Sequence, residues 1–190
     1  MCDGLVATMM TDEQLTILLQ SGGELRVPYF DDAPVRVEPS DVPLSRALPA
    51  LQNFLRLTAA QRRADGRHLL AYCLLMMDAV DEEVIVEDLG GTMPALENIW
   101  EHASPTLILI GELDAGAYAA GPTTFVQIEG EVAWEPEHGL VMSWADGRRL
   151  VRVGPFDGHP TNGHASGNRE DDRFVFCCYL PELCTLPDPA

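Results

Sequence analysis

The sequence predicts an α+β fold in which a helical hairpin packs on a mainly antiparallel β-sheet or meander. Three observations predict it. Apolar residues recur at spacings of three and four between Ser45 and Val80. After Thr106 the apolar period shortens to two. Asp146-Gly147, a dipeptide suited to a type I′ turn, stands between two apolar runs, Leu140–Trp144 and Arg149–Val153.

The first 23 residues are expected to hold a short helix. Thr11-Asp12-Glu13-Gln14 fits a capping box, Leu15, Leu18 and Leu19 form a stripe, and Gly22 or Gly23 ends it. Leu25-Arg26-Val27 and Val35-Arg36-Val37 then flank Asp31-Asp32-Ala33-Pro34, the pattern of two strands and a turn. Pro39 and Pro43 bracket a break. In the helical part, Leu44, Leu48, Leu51 and Leu55 follow one another on one face with Phe54 alongside. Pro49 fits only in a first turn, where the N–H it lacks has no helical partner anyway. Thr58-Ala59-Ala60-Gln61 is a second capping box, and Leu69, Leu70, Cys73, Leu74 and Met77 mark the next buried face. Two antiparallel helices joined near Leu57 follow. Gly66 should weaken the second by roughly 1 kcal/mol relative to alanine and fray its first turns. Beyond Gly90-Gly91, a short helix over Pro94–His102 with Thr92 as N-cap is expected.

In the β part, Val126, Ile128, Val132 and Trp134 alternate with Gln127, Glu129, Glu131 and Ala133, which predicts a half-buried strand with one wet, acidic face. Across the Asp146-Gly147 turn, Leu140, Met142, Trp144, Val151 and Val153 should share one face, and Ser143, Arg148 and Arg152 the other. Phe174–Leu180 is expected to close the sheet, and the Pro-rich tail to stay loose. The chain is therefore expected to be one domain over 1–190, with an N-terminal helix and hairpin (1–40), a helical part (44–103), an antiparallel sheet (104–180) and a loose tail (181–190).

At 46% hydrophobic and 22% charged, the chain has the material for a real core. The longest apolar run, Leu69–Met77, is far short of the ~18 residues a membrane span needs. Met1-Cys2-Asp3-Gly4 carries no basic segment, so no secretory signal is expected. Five cysteines is an odd count, and Cys73, Cys177 and Cys178 lie in apolar stretches, which predicts reduced thiols and a cytoplasmic protein. The net charge of −18 is concentrated: residues 68–147 carry fifteen acids and no Arg or Lys. Such a field repels nucleic acid and anionic membrane and attracts a basic protein or a divalent cation. Neither partner of the first kind is expected; a basic protein partner is. The same acids also serve solubility.

The segment Trp134-Glu135-Pro136-Glu137-His138-Gly139-Leu140, then Asp146-Gly147-Arg148-Arg149-Leu150 and Val153-Gly154-Pro155-Phe156-Asp157-Gly158-His159, resembles an uncharacterised bacterial domain family with the signature W-E-x-E-H-G-L … D-G-x-x-L … V-G-x-F-D-G-H. Leu51, Phe54 and Leu55, and the pair Ile99-Trp100, resemble it too, for a coverage of roughly 45–165. The resemblance implies the α+β fold and a bacterial origin. It implies no activity and no catalytic residue.

Two residue sets carry the chemistry. Glu82, Glu83, Glu129, Glu131, Glu135 and Glu137 would bind the basic partner. His138, Asp157, His159 and His164 would hold a divalent metal such as Zn²⁺, since the loop Asp157–His164 leaves the second hairpin strand beside Glu135 and Glu137. The spacing matches no established metal motif, and the loop residues also suit ordinary turn and capping roles. Cys177-Cys178 and Cys184 lack zinc spacing; on a strand, adjacent thiols would point to opposite faces. Asp81-Glu82-Glu83 with Glu87-Asp88 lacks the ligand spacing of an EF-hand. Ser104 and Ser143 have no nucleophile-elbow context, and no phosphate-binding glycine loop is present. The expected function is a non-enzymatic, acidic interaction protein, an immunity protein against a cationic toxin being one concrete form. The alternative is a metal-binding or metal-dependent hydrolytic domain using the Asp157–His164 loop. No cofactor is expected under the first.

Overall fold

The computed structural model describes residues 10–114 and 121–188; Cys2 and the outermost parts of the expected first helix and tail lie outside them. Helix α1 (Asp12–Ser21) starts at the Thr11/Gln14 capping box, whose two reciprocal bonds are 3.3 and 2.8 Å. Strands β1 (Gly23–Val27) and β2 (Ala33–Val37) form an antiparallel hairpin around a 3₁₀ turn at Pro28–Phe30. Helices α2 (Leu44–Phe54), α3 (Ala59–Ala79) and α4 (Glu82–Asp88) follow, and a 3₁₀ turn at Ile99–His102 enters the sheet. Strands β3 (Ala103–Leu113), β4 (Thr123–Val132), β5 (Leu140–Ala145) and β6 (Arg149–Gly154) complete it, before a short α5 (Asn162–Ser166) and a 3₁₀ turn at Arg169–Arg173.

The six strands lie in chain order. All pairs are antiparallel except β2–β3, which is parallel. A parallel pair needs a long crossover, and residues 38–102, which carry α2, α3 and α4, supply it. The fold is thus α+β, with α1, α2, α3 and α4 on one face of the sheet. Its core interleaves Leu51 and Phe54 of α2 and Leu69 and Tyr72 of α3 with Ile128, Met142 and Trp144 of the strands. Trp144 sits at the centre, its ring 5.0 Å from Phe54 and 5.3 Å from Tyr29. Burying such rings is the main stabilising term. No helix among the described residues is long and apolar enough to cross a membrane.

Several expectations change in the structure. Pro49 is the sixth residue of α2, not part of its first turn. It is exposed, so the carbonyl it leaves unpaired stands on the solvent side. Gly66 is no weak point: a Cβ there would stand 2.9 Å from Trp100 Nε1, so glycine is what lets the indole approach and donate to the Arg62 carbonyl at 2.9 Å. In α3 the exposed Leu74 gives up its expected buried place to Ala71 and Tyr72. The expected Pro94–His102 helix shrinks to the 3₁₀ turn; Asn98, not Thr92, holds its N-cap position, and the Asn98 side chain makes no capping bond but accepts from the upstream Ala95 N–H at 2.7 Å. Val151 leaves the helix-facing side because the β5–β6 register shifts between Ser143 and Trp144, pairing Trp144 with Leu150. Phe174–Leu180 adds no strand; the Val175 carbonyl accepts once from Val153 N–H on the free edge of β6, and Phe176 bridges to Thr185. Residues 181–188 are not loose, because Thr185 Oγ1 bonds His68 Nδ1 at 2.6 Å and Arg67 reaches Asp188 at 2.6 Å.

The sheet's second face is mostly dry. On it Phe125, Gln127, Ser143, Ala145, Val151 and Arg152 are all buried, and only Glu131 of the expected wet, acidic face of β4 is exposed. The segment after β6 folds back here, Asp157 and the His159 carbonyl both meeting Arg152.

Candidate acidic binding cleft

The cleft forms where β3 begins and β4 ends. Register places Ser104 opposite Glu131, and Ala103 opposite Val132. The 3₁₀ turn that leads into β3 is anchored by the Trp100–Arg62 bond, which leaves Glu101 and His102 at the rim of the sheet. The β4–β5 connection closes the other side. Glu135 N–H donates to the Val132 carbonyl at 3.3 Å, and Gly139 N–H donates to the Glu135 carbonyl at 2.9 Å. Gly139 has φ +61, and a Cβ there would strike the Gly130 carbonyl oxygen at 2.5 Å, so only glycine makes this turn. Tyr72 of α3 donates to the Gly139 carbonyl at 3.0 Å and ties the connection to the helix layer.

The result is a cleft of about 460 Å³ lined by Glu101, His102, Ser104, Glu131 and Glu135, with no Arg or Lys among its lining residues. Glu135 is its most informative member. Its side chain is only 12% exposed, and its Oε1 accepts from His138 N–H at 3.2 Å and contacts His138 Nδ1 at 3.1 Å. Burial, and secondarily the Glu135 charge, hold the Tyr72 phenol well above its ordinary value. His102 Nε2 is buried without a protein partner.

The sequence-predicted residues fall into three places. Glu131 and Glu135 line the cleft, while Glu137 and His138 stand beside Glu135, with ligand atoms of all three within 4.8 Å of one another. Among the described residues this is the one His/Cys/Asp/Glu trio so placed, and an imidazole with two carboxylates suits a divalent ion. Glu82 and Glu83 lie exposed on α4, and Glu129 lies on β4 outside the cleft lining. Asp157 is committed elsewhere: its two oxygens accept from Arg152 at 2.7 and 2.6 Å. Burial works to raise its carboxyl, but the bonds from Arg152 and from His159 N–H outweigh that and hold it below its usual value. His159 and His164 face each other, Nδ1 to Nδ1 at 3.3 Å, a contact that needs one proton between two acceptors. The loop does approach the β4–β5 connection, Phe156 N–H donating to the His138 carbonyl at 3.1 Å, yet its ligating groups do not join the trio.

A protein-family profile, Domain of unknown function (DUF6985), matches residues 11–160. The chain belongs to this family. Comparison with characterised proteins and with solved structures finds no match. The DUF6985 region begins well upstream of the sequence resemblance, taking in α1 and the β1–β2 hairpin, and it holds the whole cleft, Arg152 and Asp157. His164 and the cysteines Cys177, Cys178 and Cys184 lie beyond it. The four described cysteines are unbridged. Cys177 and Cys178 are not on a strand, and Cys184 Sγ accepts from Cys178 N–H at 3.4 Å.

Sequence reasoning missed Glu101, His102 and Ser104 as members of the cleft. Their signal was only that Glu101 falls in the acid-rich, cation-free stretch. Their meeting with Glu131 is set by strand pairing between distant segments.

Proposed function

We propose that this DUF6985 domain is a binding module whose acidic cleft takes a basic segment of a protein partner. The observation that carries the reading is the cleft itself: three carboxylates, Glu101, Glu131 and Glu135, line it with no Arg or Lys among the lining residues. Glu135 is mostly screened from water, where a charge interacts more strongly than on an open surface. The acid-rich stretch of the chain that holds these three would speed encounter with a cationic target and make it salt-sensitive. Such a partner fits an immunity protein of the cytoplasm that neutralises a basic toxin. The test is a titration of ¹⁵N-labelled protein with an arginine-rich peptide. Amides of Glu101–Ser104 and Glu131–Gly139 should shift first and saturate together. Shifts centred on α4 instead would sink the assignment.

A second reading rests on the trio Glu135, Glu137 and His138, whose spacing would admit a divalent ion. The Asp157–His164 loop supports it less, because Asp157 already serves Arg152. Calorimetry with Zn²⁺ should give one site per chain that His138→Ala abolishes; no saturable heat would remove this reading.

A further inference from the structure

On the second face of the sheet one row of polar side chains crosses three adjacent strands. Gln127 on β4 pairs with Ser143 on β5, and Ser143 pairs with Arg152 on β6. The three are 6%, 0% and 4% exposed. Each keeps a buried polar atom with no protein partner: Gln127 Nε2, Ser143 Oγ and Arg152 Nε. Apolar Phe125, Ala145 and Val151 flank the row. Buried donors are almost always paired, and an unpaired one carries a desolvation penalty, so three in one row call for an occupant.

The guanidinium says which kind. An arginine has five N–H donors. Nη1 gives its two to Asp157 Oδ1 and the His159 carbonyl, and Nη2 gives one to Asp157 Oδ2 at 2.6 Å. What remains is Nε–H and the second Nη2 proton, the parallel fork that matches a carboxylate in two-bond geometry. Asp157 holds the fork in place from the adjacent Nη1/Nη2 edge, and its own side chain is 38% exposed against 5% for Arg152, so water screens the counter-ion more than the arginine. The Ser143 hydroxyl and the Gln127 amide add two further donors in the same row. A single water molecule accepts only two hydrogen bonds; the two oxygens of a carboxylate offer about four acceptor sites.

We propose that Gln127, Ser143 and Arg152 form a buried site for a small carboxylate, which the Nε/Nη2 fork of Arg152 grips and the other two side chains orient. The site is separate from the acidic cleft and of opposite preference. The experiment follows the Arg152 Nε–H resonance of the ¹⁵N-labelled protein during titration with sodium formate and, in parallel, sodium chloride at equal ionic strength. The expected result is a saturable shift with formate, none with chloride, and binding at least tenfold weaker in Ser143→Ala. Gln127→Leu, which removes a different donor, should weaken binding likewise and serves if the first variant does not fold. A shift that fails to saturate, an equal shift with chloride, or undiminished binding in a folded variant overturns the proposal. A high-resolution structure grown in formate with only water at Arg152 Nε overturns it too.

Discussion

Asp65 and His68 lie one turn apart on α3 and titrate in opposite senses. Burial lifts the Asp65 carboxyl from 3.8 to about 6, although the hydrogen bond from the Tyr29 hydroxyl (2.6 Å) pulls the other way. Burial likewise, with Arg67 beside it, pushes His68 down from 6.5 to about 3. Between roughly pH 4 and 6 the folded Asp65 holds a proton that the unfolded chain has released, so its contribution to stability falls as pH rises. Below about pH 6.5 the unfolded chain protonates His68 while the folded chain does not, so that contribution falls as pH drops. The two nearly oppose each other. Asp65→Asn should therefore leave a stability that climbs with pH between 4 and 6, and His68→Gln one that declines; denaturant midpoints at pH 4.5 and 6 read both. Neither titration was legible in the sequence, because both rest on burial by distant segments: Asp65 meets Tyr29, 36 residues away, and His68 meets Thr185, 117 residues away. Gly66 teaches the same lesson. Helix propensity alone would have Gly66→Ala gain about 1 kcal/mol; contact with the Trp100 indole should turn that into a loss of about 1–3 kcal/mol, checked by equilibrium unfolding.

At the scale of elements, the β5–β6 hairpin shows what local chemistry can and cannot specify. Asp146 and Gly147 have φ of 50° and 66°, as a type I′ turn requires, so the dipeptide by itself announced the hairpin. The turn is also a docking point, with Asn53 of α2 donating to the Asp146 carbonyl at 3.0 Å and accepting from Arg148 at 3.1 Å. A Cβ on Gly147 would stand 1.9 Å from the Ala50 carbonyl oxygen. Gly147→Ala should thus cost more than the ~1 kcal/mol of a simple positive-φ position, at least about 2 kcal/mol, because backbone on α2 cannot step aside. Thermal unfolding measures it. The capping boxes at Thr11 and Thr58 were equally readable, being contained within four residues. The bulge that moves Val151 to the second face was not, since it depends on how Ser143 meets Arg152 across strands. The same limit hid the cleft: Glu131 and Glu135 were visible as acids, but Glu101 joins them only through the β3–β4 pairing.

For the molecule as a whole, charge and topology divide the labour. The crossover of residues 38–102 puts α2, α3 and α4 on one face, and the segment after β6 covers part of the other. Of the acid-rich middle of the chain, visible in the sequence as a block, Glu101, Glu131 and Glu135 line the cleft, while Glu112 and Asp146 stand at the other end of the sheet. A general field and a built site make different demands, and one comparison separates them. The affinity of an arginine-rich peptide would be measured for the unaltered protein, for a Glu101→Gln, Glu131→Gln, Glu135→Gln triple variant, and for a Glu82→Gln, Glu83→Gln, Glu87→Gln triple variant of equal charge. If the cleft is the binding site, the first triple variant loses at least tenfold and the second changes little. Equal losses in both would mean that the peptide senses only net charge, and the cleft would lose its assigned role.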